Sequence, residues 1–293
     1  MRTFAFTLFA LVAFAANSVL CRLALGPAAI DAASFSSVRL VSGALALTVI
    51  TLAAKRGRFR LGGRWDSAAA LFLYAVPFSF AYLSLSTGTG ALVLFGSVQS
   101  TMMLSAILAG ERPHPSQWLG LLIAIAGLVN LVLPGLTAPP LLGTTLMVIA
   151  GIAWGLYSLL GRRTADPLLD TASNFIRSVP LVLGVSLVAI PRFHLTGAGL
   201  LLAIVSGSMA SALGYVAWYA ALRGLTATRA AVVQLTVPVL AAAAGVVLLG
   251  EHVTVRLLVS GLLILGGVGL ALRGREQLRH RRAHPAGDAS ATR

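Results

Sequence analysis

The chain has 293 residues, of which 58% are hydrophobic and only 10% charged, and its mean hydropathy is +0.91. That balance excludes a soluble globular protein, whose surface needs more polar residues than these. A net charge of +14 raises nucleic acid as a partner, but the basic residues sit almost entirely in loops and the C-terminal tail, so no nucleic-acid partner is expected and the charge reads as a topology signal.

A helix crossing the hydrocarbon core needs about 20 apolar residues. Apolar runs and the breakers between them predict ten such spans, at 3–21, 34–54, 67–85, 89–109, 116–133, 141–161, 171–190, 198–222, 228–249 and 254–272. The fold class is therefore an all-α integral membrane protein, with the lipid bilayer as its solvent. The first run has a second reading: Arg2, the apolar stretch from Phe4 and the small-residue site Ala13-Phe14-Ala15 also describe a cleaved secretory signal.

An internal repeat favours a span. Phe14-Ala15-x-x-Ser18-x-x-x-Arg22 recurs as Trp154-Gly155-x-x-Ser158-x-x-x-Arg162, a shift of 140 residues. The same shift places Ala91 on Ala231, Gly110-Glu111 on Gly250-Glu251 and Gly127 on Gly267, while Arg39 meets Arg177 and Tyr82 meets Tyr219 at nearly the same offset. The duplication divides the chain into a first repeat at 1–135, a second at 136–273 and a basic tail at 274–293 expected to be disordered. Five spans is an odd number, so the second copy enters the membrane from the opposite side, giving two inverted five-helix repeats around a central cavity.

Of the 22 Lys and Arg residues, seventeen fall in the N-terminus, the tail and the loops after spans two, four, six and eight, whereas Arg22, Arg192 and Arg256 alone occupy the opposite loops. The positive-inside rule then puts both termini in the cytoplasm. Lys55, Arg56, Arg58, Arg60 and Arg64 form one cytoplasmic basic loop on this reading.

The paired Gly-Glu motifs, Gly110-Glu111 and Gly250-Glu251, each followed by a Gly-containing closing span through Gly127 or Gly267-x-Gly269, carry a family resemblance. The chain resembles the drug/metabolite transporter superfamily, EamA-domain type. In length and in the aromatic residues of its spans it is most similar to the YddG-type exporters of aromatic and other amino acids. The resemblance implies alternating access around a central cavity and export of a small metabolite across a bacterial-type inner membrane.

Cavity candidates are polar or aromatic residues at equivalent places in both halves. Phe14 and Asn17 in span one match Trp154 and Tyr157 in span six, three residues apart in each copy and so on one helical face. Phe78 and Tyr82 in span three match Tyr215 and Tyr219 in span eight, four apart in both. The competing reading is packing or an interfacial aromatic belt, and Trp218 fits a belt best.

Gln99 and Gln234 carry amides into hydrocarbon and must find partners, either in neighbouring helices or in the substrate. Arg39 and Arg177, about two turns inside their spans, either snorkel to anchor on carbonyls or attract a substrate carboxylate. Pro238 is expected to kink span nine near its middle, and Gly88 and Gly90 to mark either a hinge or a tight turn before span four. Glu111 and Glu251, at span ends, read as capping groups.

All eight acidic residues and all five His fall in loops, span ends or the tail. The usual intramembrane proton relay is therefore missing, which predicts facilitated export without tight proton coupling. No paired carboxylates, metal motif or Ser-His dyad lies within the spans, so the chain does not read as an enzyme. With one Cys21 and no His or Cys cluster, no metal and no cofactor is expected. A channel would need a continuous polar stripe, which is absent. The expected cargo is a neutral amino acid or, alternatively, a drug or another unphosphorylated metabolite, and the expected state is a monomer.

Overall fold

The computed structural model describes residues 2–57, 60–110, 115–132, 138–161, 166–225 and 233–283. Among these the chain is helical, the one β-contact being an isolated antiparallel bridge between Ile30 and Leu195. The helices are α1 (Arg2–Leu25), α2 (Ala32–Ala54), α3 (Trp65–Ala81), α4 (Thr87–Leu108), α5 (Pro115–Val132), α6 (Leu141–Gly161) and α7 (Pro167–Ala189). Then come α8 (Gly197–Val205), a π-helical segment (Ser206–Leu213) and α9 (Gly214–Leu222), which run on as one rod, followed by α10 (Thr236–Leu249) and α11 (Val255–Ala283). The ten predicted spans are thus ten rods, the eighth interrupted by π-helix. Among the described residues five stretches, beginning at Arg2, Ala32, Leu141, Pro167 and Gly197, are by themselves long and apolar enough to cross a membrane.

Local chemistry sets the helix ends. Asp31 caps α2 by accepting from Ala33 N and Ser34 N, Ser86 accepts from Thr89 N at the start of α4, and Asp166 with Pro167 behind it opens α7. Gly250 closes α10 in the left-handed region at φ +65°. At the C-terminus the helix departs from expectation. The tail expected to be disordered from 274 continues α11 to Ala283, through Arg, Glu, Gln and Leu residues of good helix propensity. Residues 284–293 of that tail, and Glu111, lie outside the described residues.

Contacts between rods are symmetric under exchange of the halves. The second rod packs on the seventh, the fourth on the ninth and the fifth on the tenth, each pair mapping onto itself. Packing of the first rod on the eighth is mirrored by the sixth on the third, and the first on the ninth by the sixth on the fourth. A duplicated unit related by a pseudo-two-fold axis produces this pattern.

The pairing of α5 with α11 is a close backbone approach. A Cβ at Gly120 would stand 2.4 Å from the Gly267 carbonyl oxygen, and one at Gly267 would stand 2.5 Å from that of Gly120. In lipid, where apolar burial between helices brings little gain, such small-residue contact supplies van der Waals packing. Asn130 Nδ2 adds a bond of 3.0 Å to Ser260 Oγ across the same pair.

The ends of the bundle are tied differently. At the end carrying Asp31, its carboxylate receives His194 N at 3.1 Å, Thr196 Oγ1 donates to the Ala29 carbonyl at 2.8 Å, and Glu251 accepts from both Thr87 N and Thr87 Oγ1. Arg22 sits 3.6 Å from the same Glu251 and donates to the Tyr82 carbonyl at 3.0 Å. At the opposite end Lys55 meets Asp166 at 2.5 Å, and the turn at Gly62 and Gly63 is held by Ser173, Asp170 and Arg177 of α7.

Two outcomes follow from these contacts. Gly267→Val is expected to destabilise the protein by about 1–3 kcal/mol, since backbone rather than a movable side chain opposes the added carbons, and thermal unfolding in detergent will measure it. The Lys55 ammonium beside Asp166 holds that carboxyl below its ordinary range, against the opposing effect of burial. A folded-state value below the unfolded one contributes stability at neutral pH that is lost as pH falls through the folded value. The difference in melting temperature between the native chain and Asp166→Asn is therefore expected at pH 7 and should vanish in acid below the carboxylate range.

Candidate functional site

Helical periodicity brings one aromatic from each of several rods to the middle of the bundle. On α3, Tyr74, Phe78 and Tyr82 succeed one another at intervals of four, so all three lie on one face. Phe14 on α1, Trp154 on α6, Phe175 on α7 and Tyr215 on α9 meet them, and every one of these side chains is buried. Ring centroids of Trp154 lie 4.8 Å from Tyr74, 5.0 Å from Tyr215 and 6.2 Å from Phe14, within the range of favourable aromatic pairs. Phe14, Asn17, Tyr74, Phe78, Trp154 and Tyr215, with Leu94 and Phe95 of α4, enclose a space of about 10 Å³, room for about one water.

The polar side of this centre depends on the π-helical segment. Its wider turn, seen where Gly214 N donates to the Met209 carbonyl, sets Ser206 and Ser211 toward α1 and α2. Ser206 Oγ donates to Asn17 Oδ1 at 2.8 Å, and Asn17 Nδ2 donates to Ser211 Oγ at 3.3 Å. Arg39 Nε reaches the same Ser211 Oγ at 3.2 Å, while its Nη2 donates to the Tyr74 hydroxyl at 3.1 Å. The guanidinium also lies 4.9 Å from the Phe78 ring centre and 5.3 Å from that of Tyr74, a double cation–π contact. A Cβ at Gly207 would stand 2.2 Å from the Arg39 carbonyl oxygen, so only glycine lets the segment come this near to α2.

Arg39 corrects one expectation. Rather than snorkelling to a membrane face, it is 1% exposed, fixed by side chains that draw it inward. Its repeat partner does anchor on backbone: Arg177 Nη1 donates to the Gly62 carbonyl and the guanidinium lies 5.7 Å from the Trp65 ring centre. Trp218, expected in an interfacial belt, is instead 9% exposed with its ring 5.8 Å from Phe14.

The remaining candidates separate. Tyr157 and Tyr219 line a second, larger cavity of about 280 Å³ at the Lys55 end, together with Asp170, Thr171, Asn174 and the exposed Arg64. Trp154 and Tyr157, their rings 5.6 Å apart, stand between this cavity and the central one. Tyr82 is buried behind Phe78, its hydroxyl 3.4 Å from the Thr87 carbonyl, and lines neither cavity. Gly90 lies in the first turn of α4 against the Tyr82 ring, which a Cβ would approach to 2.5 Å, and Gly88 lies against Ala242 of α10. Gln99 and Gln234 are buried, and Gln99 Nε2 has no hydrogen-bond partner.

A turn at Leu235 separates the helical residues 233–234 from α10, which begins at Thr236, so Pro238 sits three residues after this break. Tyr74, Phe175, Ser206 and Ser211 belong to the centre without having been singled out by the repeat. Tyr74 was signalled by its place one turn before Phe78; the serines carried no signal, because α-helical spacing does not anticipate a π-turn.

Comparison with known proteins places this geometry in a family. Residues 141–273 match the EamA-like transporter family. An uncharacterized protein of Pseudomonas aeruginosa is 51% identical over 94% of this chain and 96% of its own length. An uncharacterized transporter of Archaeoglobus fulgidus is 28% identical over 83% of this chain and 89% of its own. A probable amino-acid metabolite efflux pump of Salmonella typhimurium is 28% identical over 69% of this chain and 72% of its own. One crystal structure, at 22% identity, superposes with a TM-score of 0.66 over 91% of this chain and 96% of that one, which establishes the common fold. With rods that pair symmetrically about a buried centre and relatives matched over most of their length, the chain carries, at residues 141–273, an EamA-like transporter domain of the drug/metabolite transporter superfamily.

Proposed function

We propose that the protein exports small neutral metabolites, above all aromatic and other neutral amino acids, by alternating access across a bacterial-type inner membrane, with both termini cytoplasmic. The observation that carries this reading is the aromatic centre, to which α1, α3, α6 and α9 each contribute a ring and which is flanked by the polar group Asn17. Flat apolar walls beside hydrogen-bonding groups suit a cargo with an apolar side chain and a polar head. The amino-acid efflux relative supports the same cargo class.

On this reading the Lys55 end faces the cytoplasm and the cavity of about 280 Å³ is the entrance, lined by Tyr157, Asn174, Asp170 and Tyr219. The Trp154–Tyr157 pair is the partition that substrate must pass to reach the centre. The Asp31 end, laced by Glu251, Thr87 and Arg22, is the closed exit. Among the described residues no carboxylate lies at mid-membrane, which supports facilitated export without obligatory proton coupling. The transport unit on this reading is a monomer of two repeats, 1–135 and 136–273, to which the remaining basic tail adds nothing essential.

Proteoliposome counterflow with radiolabelled amino acids tests the proposal. Saturable exchange that persists after collapse of the pH gradient is expected, and Trp154→Ala should lower it about tenfold through loss of two or three ring contacts. Flux that never saturates would point to a pore, and saturable exchange of other metabolites but no amino acid would move the cargo to another class of the superfamily.

A further inference from the structure

We propose that Arg39 is the carboxylate anchor of the central site and that the site recognises an aromatic monocarboxylate, reading the acid through charge and leaving the amine unread by any ion pair. This rests on the aromatic centre being the transport site. A guanidinium buried this deeply retains its charge and carries a desolvation cost that is ordinarily offset by a carboxylate. Around Arg39 none of the described side chains supplies one. Its contacts are neutral: Ser211, the Tyr74 hydroxyl and the faces of Tyr74 and Phe78.

Those contacts engage Nε and Nη2 and leave Nη1 buried without a partner. The Tyr215 hydroxyl is likewise buried and unpartnered, on a residue one turn beyond Ser211 and itself part of the cavity wall. Two unmet donors at one centre, one of them cationic, fit an anionic oxygen ligand, since unpaired buried polar groups are costly and rare. Two of the groups against the guanidinium, Tyr74 and Phe78, also wall the cavity together with Tyr215, so a carboxylate at Nη1 places its attached ring against this aromatic wall once the wall parts to admit it. The repeat partner makes the contrast plain, because Arg177 is spent on the Gly62 carbonyl and Trp65.

The ligand's amine meets no such group. Asn17 Oδ1 already accepts from Ser206 and Ser211, and the rest of the wall is rings, the hydroxyls of Tyr74 and Tyr215 and aliphatic carbon, with no carboxylate among them. Removal of the amine is therefore tolerated, whereas neutralising the acid is not.

The experiment compares L-phenylalanine, 3-phenylpropionate and L-phenylalaninamide as stabilisers of the purified full chain in detergent, read as the concentration giving half-maximal thermal shift. The two acids are expected to act at similar concentrations and the amide to need about ten- to a hundredfold more. In Arg39→Gln the acids should fall to the level of the amide, and Arg39→Lys should restore part of the difference. If the amide matches the acids in the native chain, or Arg39→Gln still prefers acids, the anchor is overturned while the aromatic site stands. If phenylalanine alone acts and phenylpropionate does not, the amine is read and the proposal falls. If none of the three acts, the aromatic site and its anchor fall together. Should Arg39→Gln fail to fold, the comparison of acid with amide in the native chain still decides.

Discussion

The membrane core offers no water, so each polar group placed there must be met by another part of the chain, and the centre of this protein is organised around one such demand. Arg39 lies on α2 with its side chain 1% exposed, so its charge is met by other parts of the chain. The eighth rod answers by widening into π-helix at Ser206–Leu213, which delivers Ser206 and Ser211 to Asn17 and Arg39. Glycine at 207 lets that segment touch the α2 backbone. Tyr74 closes the network from α3, and through the Tyr74 ring the polar network is joined to Trp154 and the aromatic wall. Four rods are thereby held by one set of bonds that no solvent can replace.

Duplication supplies the frame within which this asymmetry arises. Pairings of the second rod with the seventh and the fifth with the tenth return to themselves on exchange of halves, so the two copies must be complementary to each other along these seams. Between α5 and α11 that requirement is met by glycine on both sides. Away from the axis the copies diverge. Arg39 is turned into the core and Arg177 toward a loop, because α2 meets Ser211 and Tyr74 where α7 meets the turn at Gly62 and Gly63. A cavity formed between unlike copies has one face of rings and one of hydrogen-bonding groups, which a strictly symmetric dimer would not provide.

Much of the architecture was legible because lipid imposes one pattern on every span. Hydropathy and breakers marked the ten rods, and the offset near 140 residues marked their duplication. Spacing of three and four placed Asn17, Trp154, Phe78 and Tyr215 on inward faces that the folded chain brings to one cavity. What spacing could not supply was depth and partner choice. Arg39 and Arg177 look alike in sequence, and only the third-dimension neighbours separate them. Trp218 reads as an interfacial ring by its position near a span end, yet packing against Phe14 removes it from the interface. Tyr82 and Tyr219 align in the repeat but end in different surroundings, one against Gly90 and the other beside Gly161.

The two ends of the bundle give the centre a direction. At the Asp31 end the ties join different helices through charged groups and backbone: Glu251, following α10, caps α4, and Arg22 of α1 joins Glu251 to the Tyr82 carbonyl. Gly245 makes room for this carboxylate, since a Cβ there would stand 2.5 Å from Glu251 Oε2. Release of Glu251 would free the α4 N-terminus and Arg22 together. At the Lys55 end the ties hold a loop to α7 and leave α6 and α9 apart, with a cavity of about 280 Å³ between them. The Lys55–Asp166 pair joins α2 to α7 at this end but leaves that cavity open, and a ring pair, Trp154 and Tyr157, separates it from the centre. On the proposed reading, parting this ring pair while the Glu251 cluster holds gives access from one side only, which is the elementary condition for moving a solute without opening a pore.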